Sequence, residues 1–293
     1  MFIDAKRRLA SAAFVTLLIL SIFWPSPVVT INQLCCNAAL PIDDLSFLGR
    51  EAPAWDVVFW CITGIFALAL VQECGAGSPA GARRLRGGAT FREIAQEFRA
   101  TRLRIGISTA IAFIVSAFIV AAIWIYADAP ATAWSERVAS GDVQDWIRFA
   151  NRFGGGMNPV MVIGFFLLAG LAYAQRQWVS YAIRMALAGA AGGVIVQFVK
   201  FGVGRTRPEL WLGPFQHARS SASSFPSGHT VGAFALAGVL MLNSESKTMR
   251  AIAAVLALSV AVSRVLAFRH WASDVTASAA VGMIAAAIMQ TRK

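Results

Sequence analysis

Residues 251–274 read AIAAVLALSVAVSRVLAFRHWASD, an apolar run that ends in Arg264, His270 and Asp274. The first twelve of these residues carry no charge, so the segment is suited to hydrocarbon rather than to water. A charge at such depth costs roughly 2.5–3.5 kcal/mol by insertion scales, so ionisable groups at the end of the run mark function. Outward from this stretch, the same kind of apolar surrounding holds two more clusters. They are Lys200 with Arg207-Pro208, and Pro226-Ser227-Gly228-His229. Together the clusters place three cations, two histidines and one carboxylate among membrane-length segments, which implies an anionic ligand arriving from lipid.

Composition supports a membrane protein. Of the 293 residues, 57% are hydrophobic and 14% charged, with a mean hydropathy of +0.63. Soluble domains are about 45–50% apolar and about 25% charged. Spans of about 17–25 apolar residues cross about 30 Å of hydrocarbon. Eight are expected, at 9–28, 55–72, 105–126, 158–175, 185–201, 229–243, 251–268 and 271–290. The fold class is therefore an all-α, polytopic bundle. The sixth segment is short and needs Ser227, Gly228 and Asn243 to extend it.

The net charge of +11 is not a nucleic-acid signature, because of where the charge lies. Lys6, Arg7 and Arg8 precede the first span, and seven arginines from Arg83 to Arg104 precede the third. Arg176, Arg184, Lys247, Arg250, Arg292 and Lys293 continue the alternation. With eight spans all of these fall on one side, which the positive-inside rule makes cytoplasmic, together with both termini. Asp43, Asp44, Glu51, Asp128, Glu136, Asp142 and Asp145 fall on the other. The expected setting is a bacterial inner membrane with the site facing the periplasm. The 83–104 loop reads as a juxtamembrane stop signal that touches anionic headgroups.

The first apolar stretch ends in Phe23-Trp24-Pro25 with no small-x-small site behind it, so it is expected to remain as an uncleaved span. Cys35, Cys36, Cys61 and Cys74 have neither zinc nor disulfide spacing. Gly154-Gly155-Gly156 reads as a flexible interfacial turn, since no Lys or Ser/Thr follows in phosphate-loop register. Arg205 reads as an interfacial side chain that snorkels.

The chemistry of the clusters follows from their residue types. His270 and Asp274, four apart, share a face if helical, so Asp274 can accept from one ring nitrogen and leave the other electron-rich. That is a nucleophile with its orienting partner, though a structural hydrogen bond would use the same pair. Arg264 offers a planar donor fork to phosphate oxygens. Gly228 admits close backbone approach, and the helix starting there presents free N–H groups beside the Ser227 hydroxyl, a natural anion cradle. A Pro-Ser-Gly turn that merely caps a helix is common, so the turn alone does not define a site. His229 is placed to protonate a leaving oxygen. All three clusters fall at one membrane face: the end of span five, the start of six, the end of seven and the start of eight.

The pattern Lys200-x6-Arg207-Pro208, Pro226-Ser227-Gly228-His229, Ser263-Arg264-x5-His270-x3-Asp274 resembles the tripartite signature of the type-2 phosphatidic acid phosphatase superfamily, with no position substituted. The signature covers 200–274. The resemblance implies a six-span phosphatase core over 105–293, preceded by two additional spans and a basic loop in 1–104. It further implies His270 as a nucleophile forming a phosphohistidine, Asp274 as its orienter and His229 as the acid. Lys200, Arg207, Arg264, Ser227 and Gly228 would bind the phosphoryl oxygens. No carboxylate cluster suggests magnesium, so neither metal nor cofactor is expected. Three rivals belong beside this reading. A transporter of anionic lipid needs no His–Asp pair, and inverted repeats that would favour it are not evident. The soluble vanadate haloperoxidases of the same superfamily do not have eight spans. A lipid phosphotransferase would share the phosphohistidine. The substrate candidates are phosphatidic acid, phosphatidylglycerol phosphate, undecaprenyl diphosphate and the phosphates of lipid A.

Overall fold

The computed structural model describes residues 91–291, except 104, 140, 156–157, 173–174, 211 and 217–222. The expected spans at 9–28 and 55–72 lie outside the described residues. The other six are helices: α2 (Ile107–Tyr126), α5 (Asn158–Ala172), α6 (Arg176–Val203), α7 (Gly228–Asn243), α8 (Lys247–Leu266) and α9 (Ala272–Ile288), within a few residues of their expected bounds except α6, which begins nine residues before the expected 185. Three are long and apolar enough to cross a membrane, namely α2, α6 and α8, and the protein is an integral membrane protein. No residue of α2 is fully buried against the rest of the described chain, so much of this apolar helix is left for lipid.

Three further helices occupy stretches between the expected spans, where the sequence reads as loop. α1 (Phe91–Ala100) lies within the basic 83–104 segment, with Phe91, Ile94, Ala95 and Phe98 at helical spacing. α3 (Asp128–Val138) and α4 (Asp142–Gly154) form the connection between α2 and α5. In α4 the positions Val143, Trp146, Ile147 and Ala150 supply the apolar stripe, and Ile147 and Ala150 are buried.

Packing fixes which helix ends meet. α7 and α9 approach closely because Gly238 and Gly282 face each other's helix. A Cβ at Gly282 would stand 2.7 Å from the Phe234 Cβ, and one at Gly238 would stand 2.8 Å from the Ala286 Cβ. Phe166 of α5 packs edge-on against Trp178 and Tyr181 of α6. The Tyr181 hydroxyl donates to the Asn243 carbonyl at 3.0 Å, so the start of α6 lies beside the end of α7. At that end Thr101–Leu103 (β1) pairs antiparallel with Met289–Thr291 (β2), Glu97 is ion-paired with Arg176, and Arg184 donates to the Met289 carbonyl at 2.6 Å. The opposite end therefore gathers the end of α6, the start of α7, the end of α8 and the start of α9. All three sequence clusters are at that end.

Candidate active site

α6 stops because Gly204 adopts a left-handed conformation (φ 59°) and returns its N–H to the Lys200 carbonyl. Arg205, Thr206 and Arg207 then run across the end of the bundle. Thr206 is fastened at both ends: its N–H and hydroxyl donate to the Gln216 carbonyl, and its own carbonyl accepts from the Trp271 indole at 2.8 Å.

At the other edge, α8 closes onto itself. The Arg264 carbonyl accepts from both the Arg269 and the His270 N–H at 3.2 Å. Phe268 takes a left-handed φ of 55°, uncommon for a bulky residue, and the tight turn carries His270 back beside Arg264. Trp271 caps α9, and its N–H donates to Asp274 Oδ2 at 2.9 Å.

His270 is 3% exposed and Asp274 wholly buried, but they are not the directly bonded pair expected. His270 precedes α9, so the two side chains do not stack on one helix face. Their nearest polar atoms are 3.8 Å apart, beyond hydrogen-bond range. The His270 Nδ1 partner is the Ser224 carbonyl at 2.6 Å. A carbonyl only accepts, so Nδ1 carries the proton and Nε2 keeps its lone pair. Ser224 also donates its hydroxyl to Asp274, so the carboxylate reaches the imidazole through Ser224. Burial, then the charges of Arg264 and Lys200, hold the His270 pKa well below the ordinary histidine range, and the ring is neutral at pH 7.

Asp274 spends its charge on Arg205. This arginine does not snorkel: its side chain is wholly buried, with Nη1 2.5 Å from Asp274 Oδ1 and Nη2 2.6 Å from Asp128 Oδ2. Nε donates to the Pro214 carbonyl, Nη1 also to Ser273, and the guanidinium lies over the rings of Trp124 and Trp271. Asp128, counted in the sequence only among the outer acids, accepts in addition from the Ser273 N–H and hydroxyl. A charge pair this buried survives because every donor and acceptor is met.

Arg207 and Arg264 are different. Each has a buried Nε–H without a partner among the described residues. With Lys200, they are the charges that act on both His270 and His229. Arg207 Nη1 lies 3.3 Å from Glu209, which also pairs with exposed Arg269. Arg264 Nη1 donates to Asn151 Oδ1 at 2.7 Å. The structure thus brings Lys200, Arg207, Arg264, His229 and His270 to one place.

Ser227 and Gly228 divide their work. The Ser227 side chain is wholly buried and caps α7, accepting from the Thr230 N–H at 3.4 Å and the Thr230 hydroxyl at 3.0 Å. Its N–H donates to Ser278. Gly228 is exposed at the first position of α7. The glycine run before α5 is not a loose turn where it is described: a Cβ at Gly154 would stand 2.4 Å from Val260, and one at Gly155 would stand 2.5 Å from His229 Nε2. Sequence reasoning missed Ser224, Arg205, Asp128 and Asn151. Only Asp128, a lone acid at the end of a span, carried a signal of its own.

Comparison with known proteins agrees with this architecture. Residues 177–292 match the model of the PAP2 superfamily. It is similar to the lipid A 1-phosphatase of Porphyromonas gingivalis, 35% identical over 112 residues. Those residues are 38% of this chain and 23% of that protein, so the match spans less than a quarter of the relative. The crystal structure of a transmembrane PAP2-type phosphatidylglycerolphosphate phosphatase from Bacillus subtilis superposes with a TM-score of 0.50 at 22% identity. It covers 60% of this chain and 91% of that one. Aquifex aeolicus LpxE superposes with a TM-score of 0.47 at 21% identity, covering 55% of this chain and 93% of that one.

Proposed function

We propose that the protein is an integral-membrane lipid phosphatase that hydrolyses a phosphate monoester or diphosphate through a phosphohistidine on His270. The observation that carries this reading is a buried, neutral imidazole whose Nε2 keeps its lone pair, set among three cations of which two have a buried Nε–H with no partner among the described residues. Unpaired buried donors are costly, and phosphoryl oxygens would meet them.

In the first step the Nε2 lone pair forms a bond to phosphorus as the bond from phosphorus to the lipid oxygen breaks. Charge on the equatorial oxygens is taken by Arg207, Arg264 and Lys200, while His229 gives a proton to the departing oxygen. In the second step His229 takes a proton from water, the water oxygen attacks phosphorus, and the nitrogen–phosphorus bond returns its pair to His270. Fixed cations in a site shielded from water do what a metal would otherwise do, so the reaction proceeds without one. The exposed Gly228 is the point at which backbone meets the phosphoryl group. Asp274 acts through Ser224, holding the carbonyl that orients His270. The Arg-rich alternate loops and the shared end of the clusters favour a periplasmic site, and residues 105–293 form the catalytic core.

The test is a rapid quench of the purified chain with radiolabelled lipid phosphate. Label bound to protein, stable in base and lost in acid, should accumulate in the parent and be absent from His270→Ala. Turnover without such label, or label retained in His270→Ala, would refute the phosphohistidine.

A further inference from the structure

Asn151 of α4 and Gly155 just past its end, both outside all three clusters and outside the stretch that matches the superfamily, reach the site. Asn151 Oδ1 accepts from Arg264 Nη1 at 2.7 Å and lies 3.3 Å from the Ser263 hydroxyl. Gly155, one turn on, lies so close to His229 that an added Cβ would come within 2.5 Å of Nε2. We propose that Asn151 is a positioning residue for phosphate binding: its amide oxygen aims the Arg264 guanidinium without cancelling its charge, making α4 a wall of the active site. The proposal rests on the phosphatase reading.

The kind of acceptor that holds an arginine decides whether its charge stays available to a ligand. A guanidinium only donates, so the asparagine atom facing it is oxygen. Arg205 shows the effect of carboxylates in this protein: Asp128 and Asp274 occupy its two ends, and no charge is left for a ligand. Arg264 is held by a neutral amide instead and keeps both its charge and an unpaired Nε–H. Fixing one Nη sets the plane of the fork before substrate arrives, so less freedom is lost on binding. Asn151 has a firm base, because Gly154 on the same helix packs directly on Val260 of α8. A residue that served only to dock α4 on α8 would work as well with a carboxylate, which would pair with Arg264 more strongly.

That difference supplies the experiment. The full chain in detergent is compared with Asn151→Asp and Asn151→Ala, using orthovanadate as the phosphoryl mimic. The vanadate-dependent rise in Tm is read together with kcat and KM on whichever lipid phosphate the parent hydrolyses fastest. Asn151→Asp should keep or raise the Tm without vanadate yet weaken vanadate binding by about tenfold or more, because the new carboxylate occupies Arg264. Asn151→Ala should lower kcat by roughly tenfold while KM moves less than kcat, since a misaimed fork is felt most in the transition state. In an Arg264→Lys background Asn151→Ala should add little further loss of vanadate affinity, which tests the coupling even if Asn151→Asp does not fold. Parent-like vanadate affinity in Asn151→Asp, or full additivity with Arg264→Lys, would overturn the proposal. A parent that neither hydrolyses any lipid phosphate nor responds to vanadate would remove the phosphatase reading, and the positioning role with it.

Discussion

Arg205 and Arg207 are two positions apart, and their surroundings assign them different work. Arg205 is wholly enclosed by two carboxylates, a carbonyl and two indoles, whereas Arg207 keeps a buried Nε–H with no partner among the described residues. Spacing in the sequence separates them only through the family pattern; burial and pairing separate them physically. At this scale the account expects His270→Ala and His229→Ala each to abolish turnover while the parent's Tm is largely kept, as read by phosphate release and thermal unfolding. Arg264→Lys should reduce kcat by the factor that corresponds to about 2.7–4 kcal/mol, the loss typical of one transition-state donor, and should weaken vanadate inhibition. Full kcat with full vanadate sensitivity would make Arg264 a mere anchor. A pH dependence also follows. The folded state holds His270 neutral, with a pKa well below the usual value, while the unfolded chain protonates near pH 6.5. Above that value neither state binds the proton and the group contributes nothing; below it only the unfolded chain binds it, so stability falls as pH falls. The slope is about 1.4 kcal/mol per pH unit for one such group, and His270→Asn should flatten the decline in Tm between pH 6.5 and 5.

At the scale of elements, the six helices from α2 to α9 that read as spans were legible because apolar length is a local property. So were the residues with chemistry of their own: histidines, cations and the capping turn at Ser227. What could not be read is what other elements bring. Ser224 orients His270 by a backbone carbonyl, which any residue type would supply. Asp128 meets Ser273 and Arg205 across 145 and 77 positions, and Asn151 meets Arg264 across 113. The His270–Asp274 spacing implies a direct bond only if the helix already runs at His270, and α9 begins two residues later. α3 contributes Asp128 at its first residue, so the connection between α2 and α4 fastens the catalytic turn. Asp128→Ala would leave Arg205 with one carboxylate of two in a dry site. Breaking such a buried pair costs about 3–5 kcal/mol, a loss that thermal unfolding in detergent would register. A Tm unchanged by Asp128→Ala would show that the triad is not a structural clamp.

For the whole molecule, the catalytic end and the end bearing β1, β2 and the Glu97–Arg176 pair are opposite faces of one bundle. In the proposed orientation the latter faces the cytoplasm, the side of the basic loops. Glu136, exposed in α3, and Glu245, exposed between α7 and α8, lie on opposite sides in this arrangement. Once the native cysteines are removed, Glu136→Cys should react with an impermeant thiol reagent on intact cells and Glu245→Cys should not. The reverse pattern would turn the site to the cytoplasm and change the lipids within its reach. The central claim, that this bundle hydrolyses lipid phosphate with its own side chains, is met most directly by phosphate release from a panel of lipids in detergent with a chelator present. The panel is phosphatidic acid, phosphatidylglycerol phosphate, undecaprenyl diphosphate and lipid A. The expected result is release from at least one lipid by the parent, undiminished by the chelator and absent in His270→Ala. Release that the chelator abolishes, or that His270→Ala retains, would contradict it.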